Sequence, residues 1–179
     1  MDQLERYMTC TTVYALTPGQ PVDGFRKLTE LRNSWGSAPV VWMAMFARYV
    51  DRGDPELPGS GFMFRLGELW PLWRRSDIPA PFRAVLGMTY DNAYIERADY
   101  SRAAADIRSF LKEFPVDPTY ENHWPRIAEI FESAPDCAAI GFNWTSVNRN
   151  PFEGDWDEES DQPGPTEWST KWSFYQEFE

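Results

Sequence analysis

The sequence predicts an α+β fold. It reads as one domain over residues 1–179, with a mixed or antiparallel sheet of about five strands packed against four or more helices. Three observations predict it. Hydrophobic periodicity changes along the chain in the order strand, helices, two strands, helices, strand, strand, which mixes both classes without a regular βαβ alternation. Hydrophobic residues make up 42% and aromatic residues 16%, with nine Trp and twelve Phe, so an aromatic-rich core is expected and pervasive disorder is excluded. A chain of 179 residues can bury about 70% of its unfolded surface, so neither disulfide nor metal is needed to hold it.

The first strand is expected at Thr9–Leu16, where β-branched residues run up to the turn signal Pro18-Gly19. The next stretch, 22–35, reads as an amphipathic helix: Asp23 stands as N-cap, and Phe25, Leu28, Leu31 and Trp35 form a stripe. A second helix is capped by Ser37, carries Pro39 in its first turn and runs to about Val50. Its apolar run, Val40–Ala47, is far shorter than the roughly 20 residues a bilayer span requires, so no membrane association is expected. Asp51–Gly61 has the composition of a loop. Leu66, Leu69, Trp70 and Trp73 have helical spacing, but Pro71 divides them into two short pieces.

Ala84–Tyr90 and Ala93–Ile95 read as a hairpin turning at Asp91-Asn92. The clearest helix follows, with Tyr100, Ala103, Ala104, Ile107, Phe110, Leu111 and Phe114 on one face and Pro115 at its end. A shorter helix spans His123 to Ser133, with Asn122 as cap and Pro125 in the first turn. Ile140, Phe142 and Trp144 alternate with Gly141, Asn143 and Thr145 as in a half-buried strand. The same pattern returns at Trp172, Phe174, Gln176 and Phe178. The stretch between them is therefore an acidic surface loop at about 151–168, tethered before a C-terminal strand.

That loop carries most of the charge. From Pro151 to Glu179 there are nine acids and one base, Lys171, which accounts for −8 of the net −11. Glu153, Asp155, Asp157, Glu158, Glu159 and Asp161 fall within nine residues and are interleaved with Trp156. A surface of this kind can imitate phosphate charge and occupy a basic groove, with fast, salt-sensitive association. Direct nucleic-acid binding is not expected, because no basic face is evident to neutralise phosphates. Asp155, Asp157 and Glu159 resemble the opening of a calcium loop, but Ser160 and Thr166 stand where Gly and Glu are needed. No metal or other cofactor is expected.

Catalytic constellations are sparse. His123 is the one histidine, so a multi-histidine metal centre is excluded and any imidazole chemistry must use it. Cys10 and Cys137 lack CxxC spacing and read as free thiols. Gly59-Ser60-Gly61 lacks the lysine and spacing of a phosphate loop. The densest polar cluster, Asn143–Asn150, could line a ligand pocket with Trp144, Asn148 and Arg149, joined by His123.

The functional expectation is a non-enzymatic acidic interaction module that binds and blocks a protein partner with a basic surface. Its contact residues would be Glu153, Asp155, Trp156, Asp157, Glu158, Glu159 and Asp161. Phage-encoded inhibitors of host defence nucleases, anti-CRISPR proteins and other DNA mimics act in this way. The alternatives are an immunity protein of a toxin pair, or a small-ligand binder or enzyme with its pocket near Trp144, Asn148 and Arg149. The opening residues show acids and no apolar signal region, so residence in a cytoplasm is expected.

Overall fold

The computed structural model describes residues 10–16, 26–51, 66–90 and 93–144, together with 156–157, 159, 162–163 and 175. Within them the fold is α+β: a four-stranded antiparallel sheet and five α-helices. The strands β1 (Cys10–Leu16), β2 (Arg26–Arg32), β3 (Tyr94–Glu96) and β4 (Ala139–Asn143) lie in the order β2-β1-β4-β3. The helices are α1 (Ala38–Tyr49), α2 (Leu66–Leu69), α3 (Ala80–Met88), α4 (Tyr100–Glu113) and α5 (Trp124–Glu132). A 3₁₀ turn, Trp70–Arg74, continues α2 past Pro71, so the two short pieces expected there are present.

Two expected elements exchange type. Residues 26–32 form β2 instead of a helix, pairing with β1 from Cys10↔Arg32 to Ala15↔Arg26. The register shifts between Val13 and Tyr14, which are matched to Thr29 and Lys27, so Leu28 is the extra residue of a bulge. Trp35, the last member of the supposed helical stripe, is 54% exposed. Conversely, Ala84–Tyr90 is no strand: α3 covers Ala80–Met88 behind Pro79, and β3 pairs with β4 and not with a hairpin partner. Among the described residues the main sheet has four strands, against the five or so expected. The expected strand at 172–178 lies outside the described residues except for Tyr175.

The helices cover one face of the sheet. Val13, Ala15, Ile95, Ile140 and Phe142 from that face join the main core with Phe46, Phe110, Ile127 and Phe131. On the opposite face Leu16, Tyr94 and Ala139 form a second cluster, with Tyr14 packed against it. This explains why β4 is buried along its whole length instead of half-buried: it lies between β1 and β3, with apolar clusters on both faces. Between α4 and α5, the Arg108 guanidinium donates to both carboxylate oxygens of Glu132, at 2.9 and 3.0 Å.

Candidate functional site

Trp144 follows the last residue of β4, and β4's central place in the sheet decides where its ring goes. It is 5% exposed and stacks on Phe142 at 4.8 Å and on Trp124 at 5.4 Å. Its indole Nε1–H donates to the Met88 carbonyl at 2.7 Å, satisfying the only polar atom of the side chain within the protein. The arrangement locks the end of β4 to the end of α3. Asn148 and Arg149 lie outside the described residues.

His123 is placed by the start of α5. Pro125 occupies the first turn; the N-cap is His123 and not the expected Asn122, and no side chain bonds from the cap position, although the Asn122 side-chain oxygen, one residue earlier, accepts from the Trp124 N–H at 3.0 Å. The His123 backbone N–H donates to Gly36 O at 2.8 Å. Its ring Nε2 stands 2.6 Å from Arg32 O and 3.1 Å from Asn33 O. Both partners are carbonyls, so Nε2 carries the hydrogen and the imidazole ties the β2–α1 turn to α5. That turn needs such support: Asn33 has a φ of 61°, and its amide donates to Glu121 Oε2 at 2.8 Å. Nothing in sequence announces this junction, because it joins residues about 90 positions apart.

At the opposite side of the same turn Ser37 precedes α1, but its hydroxyl makes no capping bond and is buried without a hydrogen-bond partner among the described residues. Its carbonyl instead accepts the Trp124 Nε1–H at 2.9 Å. Cys137 is buried, with its sulfur 3.2 Å from the Tyr100 hydroxyl, whereas Cys10 is only partly covered. Neither cysteine is in a disulfide. Burial pushes the Cys10 thiol above its ordinary pKa, and the neighbouring Glu30 carboxylate pushes it further, which is the wrong direction for a nucleophile. Among the described residues no group of three or more His, Cys, Asp or Glu side chains could hold a metal ion. No helix among them is long and apolar enough to cross a membrane.

The acidic stretch contains regular structure of its own. Trp156–Asp157 (β5) and Gln162–Pro163 (β6) pair antiparallel, with Trp156 opposite Pro163 and Asp157 opposite Gln162. The connection between them includes Glu159, an exposed turn residue. Glu153, Asp155, Glu158 and Asp161 lie outside the described residues. Tyr175 belongs to the main core cluster and is 2% exposed. Its hydroxyl donates to Asp106 Oδ2 at 2.7 Å, and the Arg102 guanidinium lies over its ring at 4.4 Å. Burial raises the Asp106 carboxyl above its ordinary pKa, against the lowering effects of the Tyr175 hydrogen bond and the Arg102 charge. The Tyr175 hydroxyl is raised as well, first by burial and then by Asp106.

Fold and site together define an α+β body that carries an acidic, partly β-paired segment. No family model, curated protein or solved structure matches the chain.

Proposed function

We propose that this chain is a non-enzymatic interaction module whose acidic segment, Glu153–Asp161, contacts a basic protein surface and blocks it. The observation that carries the reading is the concentration of six carboxylates in a stretch that includes the β5–β6 pairing and the exposed Glu159. Backbone pairing reduces the conformations a segment must give up on binding, so its charges engage a partner at lower entropic cost than those of a free tail. Trp156, within the same pairing, adds an aromatic side chain of the type that anchors interfaces.

A basic surface fit for such a segment is one that normally holds nucleic acid. The partner class is therefore a nucleic-acid-handling protein such as a host defence nuclease, with this chain acting as an anti-CRISPR-like or other DNA-mimicking inhibitor. An immunity protein that covers a toxin nuclease would use the same contact. The small-ligand alternative draws less support, since the hydrogen bonds of both Trp144 and His123 go to the protein's own main chain.

The test is affinity capture from lysate with the wild-type chain and with a variant in which Glu153, Asp155, Asp157, Glu158, Glu159 and Asp161 become amides. The proposal expects a basic, nucleic-acid-handling protein on the wild type alone, most strongly at low salt. Equal capture by both chains refutes it.

A further inference from the structure

The β2–α1 turn and the loop before α5 meet at one junction, and each carries an aromatic residue open to solvent. Trp35 and Tyr120 are 54% and 56% exposed, the two large apolar side chains among the described residues with more than half of their surface in water. Each precedes a residue that makes the contact between the two segments. Gly36, after Trp35, accepts the His123 N–H at 2.8 Å and lies so near the Glu121 carbonyl that a Cβ would stand 3.0 Å from it. Glu121, after Tyr120, accepts the Asn33 side-chain amide on Oε2 at 2.8 Å. Main-chain atoms and the Asn33 amide thus hold the backbones that carry the two aromatics in a fixed relation, which lowers the entropy lost when a partner packs on them. Trp and Tyr held in this way are the residue types that carry binding energy at interfaces.

Charge selects the partner. Residues 32–36 and 117–123 contain two acids, Asp117 and Glu121, against one Lys or Arg, Arg32, and all three are exposed. Glu121 keeps an oxygen for a partner: its side chain is 49% exposed, and Oε1 lies 3.7 Å from the His123 ring nitrogen, too far for a hydrogen bond. Aromatic rings beside an open carboxylate suit a guanidinium, which lies flat on a ring while its N–H fork donates to oxygen. The protein makes such stacks internally, with Arg74 over the Trp73 ring at 4.6 Å and Arg102 over the Tyr175 ring at 4.4 Å. We propose that Trp35, Tyr120 and Glu121 form a contact surface for an arginine-bearing segment of a protein partner. This surface belongs to a different stretch of the chain from Glu153–Asp161, and it stands whether or not that segment binds.

The experiment titrates the full chain with fluorescein-labelled nona-arginine at about 50 mM salt, reads anisotropy, and uses nona-lysine as a control of equal charge. Trp35→Ala, Tyr120→Ala and Glu121→Gln are each made in the wild-type and in the six-amide background. Each aromatic truncation should weaken nona-arginine about threefold in either background, the loss expected for one exposed cation–π contact, and should weaken nona-lysine less. Glu121→Gln keeps an acceptor for Asn33 and should weaken nona-arginine about twofold. Independently of any variant, the Trp35 indole Nε1–H resonance of the wild-type chain should shift on titration with nona-arginine. Unchanged affinity in both aromatic variants, or an indole resonance that stays in place, overturns the proposal. It is also overturned if the wild-type chain sediments as a dimer that Trp35→Ala converts to a monomer, because the patch then serves a second copy of the chain. If the six-amide change leaves nona-arginine affinity untouched while Trp35→Ala lowers it, the acidic-segment reading fails and this surface stands. The reverse result removes this surface and leaves that reading in place.

Discussion

Truncating Trp144 separates its structural role from a ligand-binding one. In Trp144→Ala the stacks on Phe142 and Trp124 vanish, and the Met88 carbonyl loses its donor. Removing a buried Trp costs about 3–5 kcal/mol, and leaving a buried carbonyl unpaired adds about 1 kcal/mol or more. Against a total stability of about 5–15 kcal/mol, that consumes a large share of the fold's margin. In Trp144→Phe the aromatic contacts largely survive and the lost N–H dominates, so about 1–2 kcal/mol is expected. Urea unfolding followed by far-UV circular dichroism measures both, and thermal midpoints should fall by about 2–4 °C per kcal/mol for a chain of this size. If Trp144→Ala loses less than about 0.5 kcal/mol, the typical effect of a surface substitution, the side chain is not locked into the core and the reasoning fails.

Three further outcomes follow from the same geometry. A Cβ on Gly36 would sit 3.0 Å from Glu121 O and 3.1 Å from the His123 ring, so Gly36→Ala should cost about 1–3 kcal/mol, whereas Gly67→Ala, where a Cβ would meet nothing within 4 Å among the described residues, should be neutral or slightly stabilising in the same denaturation assay. His123→Ala strips a donor from Arg32 O and Asn33 O and should destabilise by about 2–3 kcal/mol while leaving capture of a basic partner by the folded protein intact, as affinity capture at matched folded fraction will show. Because folding raises the Asp106 carboxyl above its ordinary 3.8, its stabilising contribution is complete below that pH and is lost as pH rises through the native value; Asp106→Asn should remove this component, seen as a smaller drop in urea midpoint on going from acid to neutral pH.

The helices with strong amphipathic patterns were legible because packing and propensity agreed. In α4 the apolar residues recur on one face from Tyr100 to Phe110, and those positions are buried. At β2 they disagreed. Leu28, Leu31 and Trp35 imitate a helical stripe, but Leu28 falls in a bulge and Trp35 points outward, and pairing with β1 decides the conformation. In α3 a short apolar run fits either state, and Pro81 in the first turn, together with packing on α4, settles it as helix. Trp144 was legible as an aromatic at a strand end but not as the residue that pins that strand to α3. That role, like the seat of His123 on the β2–α1 turn and of Tyr175 on α4, is a long-range contact with no local periodicity to announce it.

Salt dependence of binding to the captured partner tests the central claim most directly. Affinity of the wild-type chain and of the six-amide chain should be measured by calorimetry across a salt series from about 50 to 300 mM, a range over which the Debye length shortens enough to weaken exposed charge pairs. The account predicts that wild-type binding weakens steeply with salt, and that the six-amide chain binds at least about tenfold more weakly with a flat salt response. Equal affinity and equal salt slopes for the two chains would show that the Glu153–Asp161 carboxylates are solvated charge and not the contact surface.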